Sequence, residues 1–483
     1  MKDKKISIIP NPKSTEILNE KNLKIPCSVF TKYKPFLPCA EAFGECAFLM
    51  FSAKCGNDAS GAELVYDKNV KESSYAIECT DGIKLYASDT EGMFYAVSTL
   101  LQLVEYKDGK LEIPQIKIKD NPDKEFRSFM LDAAREWHAP DKIHKYIDLC
   151  FIYKIKYLHI HFIDDQRYTL PSKAFPDMVT DGQSYTYDDV SSFNEHAKKR
   201  GITIIPEFET TGHAKIYVSK YKKIFANTIT KPDEDLMEGS NEFYSPDTVV
   251  CAGKNEVTEA FSVIADEIIE LFPDSPYIHI GGDEAYIKAW KCCDVCNKYM
   301  KDNNIEDIYS LYSDYVSRMT RIILAKGKIP IVWEGFPIKG SENIPRETIV
   351  NVWDTSYHRP EDLLREGFKI INSSSKPLYI IPNLKHRYPP FDILGWNVYN
   401  WGSHNEKNDT CLNPINVPPC DEVIGGELCA WECTFELEVN RVIENLAAMS
   451  ENVWNEKRYV SDDFFAEKHE KLIQKISRLI CDK

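Results

Sequence analysis

Apolar and polar residues alternate with two different periods along this chain. Within the first 120 or so residues, SYAIEC and IKLYAS alternate as paired, half-buried strands do, and Asp81-Gly82 between them favours a hairpin turn. The next stretch, EGMFYAVSTLLQLVEY, spaces its apolar residues as a helix does. The pattern therefore predicts a small α+β domain over residues 1–122, in which a helix covers a sheet.

After KDNPDKEF the chain changes to short apolar runs, most of them next to an amphipathic stretch. The runs are SFMLD, KYLHIHF, ITIIPE, YIHIG, KIPIVW, TIVNVW, FKIINS and EVIGGELCAW. The amphipathic stretches include DKIHKYIDLCFIYK, DDVSSFNEHAKKR, EVTEAFSVIADEIIELF and FELEVNRVIENLAAMSENVW. About eight strand–helix units over residues 123–483 are what a (β/α)8 TIM barrel with long loops requires. The predicted fold class is thus α/β, a barrel preceded by the small domain.

In barrels of this kind, the chemistry gathers at the C-terminal ends of the strands. Those positions hold, in chain order, Arg135, Asp164, Asp165, His213, Asp283, Glu284, Trp333, Trp353, Tyr379 and Trp431. Aromatic side chains stack on the apolar faces of sugar rings, while acids and an arginine hydrogen-bond to hydroxyl groups. The set predicts a sugar-binding pocket.

Composition narrows the partners of this pocket. The chain has 483 residues and is 43% hydrophobic, so it can bury a large core, and its formal charge of −16 argues against a nucleic-acid partner. No segment approaches the roughly 20 apolar residues of a membrane span, and the N-terminal MKDKKISIIPNPKS lacks the apolar stretch of a signal peptide. We expect a cytoplasmic protein with no membrane partner, and composition leaves the oligomeric state open.

The cysteines favour reduced thiols. Their number, 15, is odd and their spacing is irregular, so a disulfide framework within one chain cannot use them all. The densest group, KCCDVCNK, contains Cys292, Cys293 and Cys296, but its single Cys-x-x-Cys lacks the second pair of a zinc ribbon. We interpret these residues as thiols at the surface of a helix that follows the acidic motif.

The segment HIGGDE resembles the signature of glycoside hydrolase family 20, the β-N-acetylhexosaminidases. In the same order as in that family, RSFMLDAAREW, HIHFIDDQRY, GITIIPEFETTGHA and GGELCAWE resemble its first, second, third and eighth strand regions. YAIECTDGIKLYASDTEGMFYAVSTLLQLVE resembles the small domain that commonly precedes the family's barrel. The resemblance implies exo-acting, retaining hydrolysis of terminal β-linked N-acetylglucosamine or N-acetylgalactosamine. It implies glycans that end in these sugars as partners, with no cofactor and no metal.

The resemblance also explains why two acids are neighbours. In this family the substrate's own 2-acetamido oxygen attacks the anomeric carbon, so no second carboxylate has to reach the far face of the sugar ring. Glu284 would protonate the leaving oxygen and later deprotonate water, and Asp283 would accept a hydrogen bond from the acetamido N–H and stabilise the oxazolinium-like intermediate. Repulsion between the two acids is expected to raise the pKa of Glu284 and keep it protonated.

The other site residues are carried over by position. Asp164 and His213 would form a relay with Glu284, and Arg135 would hold the sugar's 3- and 4-hydroxyls, its structural alternative being an ion pair with Asp132. The remaining substrate-binding positions are Trp333, Trp353 and Trp431 around the acetamido methyl and the ring, Tyr379 at the acetamido oxygen, and Glu432. His161 and Asp165 are expected to support these residues from behind.

Three positions depart from the family pattern. Glu209 followed by Thr211-Gly212-His213 stands where the family usually has Asp and then Pro-Gly-His. Ile381 stands where an Asp often follows the tyrosine, and Glu432 comes directly after Trp431, one residue off. These positions concern the 4- and 6-hydroxyls, so the preference between gluco and galacto sugars stays open.

Parts of the sequence are compatible with three other functions. GGDE also begins the signature of diguanylate cyclases, but there a strand follows it, whereas AYIKAWKCC has helical character. A metal-dependent barrel hydrolase would use His159, His161, His213 and His279, although strand alternation places His159 and His161 on the face opposite Asp164. A catalytically silent sugar-binding protein is the third, for which retention of both acids is unexpected.

Overall fold

The computed structural model describes residues 6–232, 234–237, 240–241, 244–382, 387–457 and 461–480. Residues 1–5 of the predicted N-terminal domain and residues 481–483, which include Cys481, lie outside the described residues.

A sheet and two helices make up the N-terminal part of the chain. The strands are β1 (Ser14–Pro26), β2 (Val29–Thr31), β3 (Ala62–Tyr66), β4 (Tyr75–Cys79), β5 (Ile83–Ala87), β6 (Glu105–Lys107) and β7 (Lys110–Asp120), and the helices are α1 (Leu37–Phe51) and α2 (Thr90–Leu103). The sheet order is β1-β7-β4-β5-β3-β2, with β6 beside β7. β4 and β5 pair antiparallel across Asp81-Gly82, and the Asp89 carboxylate caps α2 by accepting from the Gly92 N–H at 2.7 Å. The predicted hairpin and covering helix are both present.

Eight parallel strands of the described chain close into a barrel. They are β8 (Phe126–Asp132), β9 (Tyr157–His161), β10 (Thr203–Glu207), β11 (Tyr277–His279), β12 (Ile329–Trp333), β13 (Ile349–Val352), β14 (Lys369–Asn372) and, after the short strands β15 (Tyr379–Ile380), β16 (Asn400–Trp401) and β17 (Ile415–Asn416), β18 (Val423–Ala430). Each strand pairs with the next, and β18 pairs with both β14 and β8, which completes the ring. The predicted (β/α)8 barrel is confirmed, and each predicted apolar run overlaps one of its strands.

Helices surround this barrel. They are α3 (Pro140–Ile152), α4 (Tyr187–Arg200), α5 (Lys215–Lys220), α6 (Lys222–Phe225), α7 (Asn255–Leu271), α8 (Lys288–Cys292), α9 (Asp294–Asp302), α10 (Ile308–Ala325), α11 (Pro360–Arg365), α12 (Ser375–Leu378), α13 (Pro390–Gly395), α14 (Phe435–Trp454) and α15 (Asp462–Ile480). α15 packs against both α1 and α3, so the last described helix lies between the two parts of the chain. In the described part of the chain, no helix combines the length and the apolar character that crossing a bilayer would need.

The barrel interior changes from apolar to polar toward the C-terminal ends of its strands. The layer nearer the N-terminal ends of the strands is the buried cluster of Phe126, Tyr157, Ile205, Ile331, Ile349 and Ile371. Two residues further along their strands, His159, Glu207 and Asn351 are also buried. Because strand side chains alternate between faces, residues two apart point the same way. The polar layer is therefore the floor of any site at the C-terminal end.

The cysteine predictions need correction. Cys27 and Cys55 form a disulfide, while the other described cysteines are free thiols. The cysteines of KCCDVCNK are buried rather than at the surface of a helix. The helix predicted there is interrupted at Cys293, where φ is −83° and ψ is 120°, so α8 ends at Cys292 and α9 begins at Asp294.

Candidate active site

The chain after β11 passes through three positive φ values, and two of them fall on glycines. Gly281 and Gly282 have φ of 60° and 108°, and Glu284 follows with φ of 47°. A Cβ atom on Gly281 would lie 1.9 Å from Oε2 of Glu209, well inside van der Waals contact. The two glycines of HIGGDE are therefore needed to bring Asp283 and Glu284 over the end of the barrel.

Glycines on the two neighbouring loops let those loops touch the Asp283 backbone. A Cβ on Gly212 would lie 2.5 Å from the Asp283 carbonyl oxygen, and one on Gly335 would lie 2.5 Å from the Asp283 Cα. The loops that follow β10, β11 and β12 therefore meet without intervening side chains. This close approach places His213, the residue after Gly212, beside Glu284.

The two neighbouring acids have different surroundings. One carboxylate oxygen of Asp283, one carboxylate oxygen of Glu284 and one ring nitrogen of His213 all lie within 4.8 Å of one another. Oε2 of Glu284 lies 3.3 Å from Nε2 of His213, and Glu284 also hydrogen-bonds with Tyr244. The buried Oδ1 of Asp283 has no hydrogen-bond partner within the described ranges. Glu284 is thus held by two side chains, whereas Asp283 keeps one unsatisfied acceptor atom.

The pKa values of the two acids are displaced in opposite directions. Burial, reinforced by the Glu284 charge, raises the pKa of Asp283 to about 7. Burial also acts to raise the pKa of Glu284, but the hydrogen bond and charge of His213 outweigh it and lower that pKa below its ordinary value. The expectation that repulsion raises the pKa of Glu284 is wrong. Glu284 is the acid nearer to a cation, so the raised pKa belongs to Asp283.

His213 is that cation. Burial opposes its charging, yet Asp164 and Glu284 outweigh burial and raise the pKa of His213 well above its ordinary value. Nδ1 of His213 lies 3.6 Å from Oδ2 of Asp164. The predicted order of Asp164, His213 and Glu284 is present in space, with the imidazole between the two carboxylates.

Two other side chains lie closer to Asp164 than His213 does. Its Oδ2 lies 2.6 Å from Nη2 of Arg135 and 2.9 Å from Nε2 of His161. The contact with His161 contradicts the expectation that strand alternation would place that histidine on the opposite face. β9 ends at His161, and Asp164 lies in the turn beyond it, where the alternation of a strand no longer applies.

Arg135 forms the ion pair with Asp132 and also lies beside the other candidate site residues. Its guanidinium pairs with Asp164 and, at 3.3 Å, with Asp132, and its backbone N–H donates to Asp132 Oδ1 at 2.8 Å. The same group lies over the Trp431 ring, and the side chain stays 15% exposed. Next to it, the Glu432 N–H donates to Asp132 Oδ2 at 3.2 Å, and Glu432 itself is exposed. Two carboxylates therefore fix the guanidinium at the surface of the site.

The four predicted aromatic residues form one cluster at the same end of the barrel. Ring centroids of Tyr379 lie 6.2 Å from Trp353, with parallel rings, and 6.0 Å from Trp431. Trp431 lies 5.7 Å from Trp333. Ile381 packs against this cluster, so an apolar side chain occupies the position at which the family often has an acid. The aromatic residues form one contiguous cluster, which contacts Arg135 through Trp431 and Glu207 through Trp333.

Family models match both parts of the chain. The model described as glycosyl hydrolase family 20, catalytic domain, matches residues 125–457, and the model of domain 2 of that family matches residues 5–121. The chain belongs to glycosyl hydrolase family 20.

Curated family 20 relatives are distant in sequence. The chain is 29% identical over 361 residues to a β-hexosaminidase of Porphyromonas gingivalis, which covers 69% of this chain and 46% of that protein. It is 26% identical over 405 residues to a β-hexosaminidase subunit beta of Entamoeba histolytica. That match covers 80% of this chain and 69% of that protein. The chain thus spans about half the length of the first relative.

The fold is shared with a solved family 20 structure. The crystal structure of the exo-β-N-acetylglucosaminidase from Vibrio harveyi, in complex with N-acetylglucosamine, superposes with a TM-score of 0.83. The match covers 99% of this chain and 78% of that one at 19% sequence identity. At this identity the likeness concerns the fold.

Sequence reasoning missed Glu207, which lies at the centre of this family 20 barrel. Its carboxylate lies 2.6 Å from Nδ1 of His161, 3.1 Å from Nε2 of His159 and 3.0 Å from Nδ1 of His279, and it accepts from Nε1 of Trp333 at 2.5 Å. Burial alone would raise the pKa of Glu207, but the histidines lower it well below its ordinary value. The available signal was an acid ending the apolar run ITIIPE.

Glu334 was also missed, and it shapes the loop that carries Trp353. Its buried carboxylate accepts the backbone N–H groups of Thr355, Tyr357 and His358 at 2.8, 2.9 and 3.1 Å. Its backbone carbonyl accepts from Nε1 of Trp353 at 2.8 Å. An acid after the run KIPIVW was the visible signal, whereas Tyr244 lies in the long insertion, where no periodicity marked it.

Proposed function

We propose that this protein is an exo-acting, retaining β-N-acetylhexosaminidase that uses the substrate's 2-acetamido group as its nucleophile. The observation that carries the proposal is the pair of Asp283, whose buried Oδ1 has no hydrogen-bond partner among the described residues, and Glu284, which lies 3.3 Å from His213. In retaining enzymes that use their own nucleophile, two carboxyl groups flank the sugar from opposite sides. Neighbours on one turn approach the sugar from the same side, so the nucleophile has to come from the substrate.

Each group then has one task. The acetamido N–H donates to Oδ1 of Asp283, which aims the acetamido oxygen at the anomeric carbon and stabilises the positive charge of the cyclic intermediate. Glu284 delivers a proton to the leaving oxygen, and the imidazolium of His213 supplies that proton through their 3.3 Å contact. Water then attacks the intermediate as Glu284 takes a proton back. The configuration at the anomeric carbon is retained after two displacements.

The substrate class follows from the aromatic cluster. Trp333, Trp353 and Trp431 offer apolar surface to the ring and the acetamido methyl, and Tyr379 lies among them. We propose glycans that end in β-linked N-acetylglucosamine or N-acetylgalactosamine as substrates. Ile381 cannot hydrogen-bond to a sugar hydroxyl. Selection between the two sugars is therefore assigned to Arg135 and the exposed Glu432.

Paired chromogenic sugars test the proposal. Aryl β-glycosides of N-acetylglucosamine and N-acetylgalactosamine are expected to be hydrolysed, and the matched aryl β-glucoside, which lacks only the acetamido group, is expected to be inert. A tethered, oriented nucleophile is worth about 7–11 kcal/mol, so the difference should exceed any effect of binding alone. Turnover of the glucoside at a similar rate contradicts the mechanism, and binding of the acetamido sugars without turnover favours the silent sugar-binding protein.

A further inference from the structure

Three thiols that the proposed reaction does not use converge beneath the active-site loops. The Sγ atom of Cys251, in the loop before α7, lies 3.6 Å from the Sγ atoms of both Cys293 and Cys296 at the start of α9. All three residues are completely buried. Sulfur atoms bonded in a disulfide lie about 2.05 Å apart, so these are separate thiols in mutual contact.

The spacing matches a tetrahedral metal site. Zinc–sulfur bonds of about 2.3 Å at tetrahedral angles place the sulfur ligands about 3.8 Å apart. The two 3.6 Å contacts are close to this value, and all three sulfur atoms lie within 4.8 Å of one another. Two of the ligands form the Cys-x-x-Cys of KCCDVCNK, and the third comes from a distant part of the sequence, which is why the sequence alone showed only half of the group.

Backbone contacts hold the three thiols in place. The Thr228 N–H donates to Sγ of Cys293 at 3.2 Å, and such N–H donors orient and stabilise metal-bound sulfur. The Arg318 guanidinium donates to the carbonyl of Ala252, the residue after Cys251, at 2.6 Å. Arg318 is itself paired with Asp314 at 2.9 Å, so it fixes the backbone next to Cys251.

We propose that Cys251, Cys293 and Cys296 bind one zinc ion. Soft thiolate ligands select zinc over calcium, magnesium or manganese. Within the part of the chain that the structure describes, no fourth His, Cys, Asp or Glu joins the group, so a solvent molecule or small anion completes the coordination.

The ion would join two loops that carry the candidate catalytic residues. The Val250 N–H donates to the Thr211 carbonyl at 3.1 Å, and the Ala214 N–H donates to the Thr248 carbonyl at 3.0 Å, so the Cys251 loop holds both sides of His213. Cys293 and Cys296 follow the Glu284 turn through α8, whose Trp290 Nε1 donates to the Val250 carbonyl at 2.7 Å. Zinc at this position would hold the His213 loop against the Glu284 loop.

Metal analysis of the full chain, purified under reducing conditions without chelator, tests the proposal. We expect about one equivalent of zinc per chain by elemental analysis and by native mass spectrometry. Exchange with Co²⁺ should give a thiolate-to-cobalt charge-transfer band with the strong visible absorption of tetrahedral cobalt. Both measurements use the unaltered protein, so they do not depend on the folding of any variant.

Variants identify the ligands. Cys251→Ser, Cys293→Ser and Cys296→Ser should each lose the zinc and the cobalt band. Cys292→Ser, which removes the adjacent thiol outside the group, should keep both. A protein that stays metal-free after titration with zinc overturns the proposal, and so does an intact mass showing a disulfide among these three cysteines. None of these readouts involves turnover, so the result is independent of the proposed hydrolase activity.

Discussion

The carboxylate of Asp283 is expected to destabilise the folded protein above neutral pH, and Asp283→Asn isolates that effect. The pKa of Asp283 is raised from 3.8 to about 7 in the folded chain, mainly by burial. A raised carboxyl pKa means that the folded state binds its proton more tightly than the unfolded state. The favourable contribution of the protonated form is therefore complete below pH 3.8 and is lost as pH rises through about 7.

The magnitude follows from the two pKa values. Each tenfold change in a protonation equilibrium is worth about 1.4 kcal/mol, so ionised Asp283 lowers the free energy of unfolding by about 4 kcal/mol at pH 8. Asparagine has nearly the same shape and does not ionise. The stability gained by Asp283→Asn should therefore grow by roughly 2–3 kcal/mol between pH 5 and pH 8.

The same substitution should impair turnover. A hydrogen bond to a charged group contributes about 1.5–3 kcal/mol, so replacing the carboxylate beneath the acetamido N–H should lower kcat by about 10- to 150-fold. A variant that is more stable but much slower would show that the acid is kept for its reaction rather than for the fold.

Urea denaturation of the wild type and Asp283→Asn at the two pH values measures the stability term, and steady-state kinetics with an aryl N-acetylglucosaminide measures the catalytic one. Asp181→Asn, at an exposed turn position, serves as the matched control and should change neither quantity. A stability gain that is the same at both pH values would refute the assigned pKa. An unchanged kcat would remove the role of Asp283 in orienting the substrate.

Three further outcomes are expected. Glu284→Gln should lose about 10²–10⁴ in rate on substrates with poor leaving groups but less on an activated phenolic leaving group, and equal losses on both would contradict the acid role. In the wild type, kcat/KM should rise with pH through about 7 as Asp283 ionises, and this limb should be absent in Asp283→Asn. Glu207→Gln should destabilise the fold by about 3–5 kcal/mol in urea denaturation, because it breaks a buried charge network, whereas a change below 1 kcal/mol would show that the histidines do not depend on the carboxylate.

Much of the barrel was predictable because its strands are short-range patterns. The apolar runs, the β4–β5 hairpin and α14, which spans the stretch FELEVNRVIENLAAMSENVW, appear where hydrophobic periodicity placed them. The positions of the site residues could be predicted because a barrel brings all C-terminal strand ends to one face. The break in the helix after Glu284 could not be predicted, because a single non-helical residue, Cys293, divides that stretch into α8 and α9.

The sequence by itself determined the ring of strands and the residues that face one another at its end. Only the tertiary structure decided which neighbouring acid has the raised pKa, because that depends on His213, which a glycine at position 212 lets approach from another strand. It likewise decided that Cys251 meets Cys293 and Cys296 across more than 40 residues of intervening chain. Local periodicity carries information over a few residues, whereas electrostatics and metal geometry depend on atoms that the closed barrel brings together.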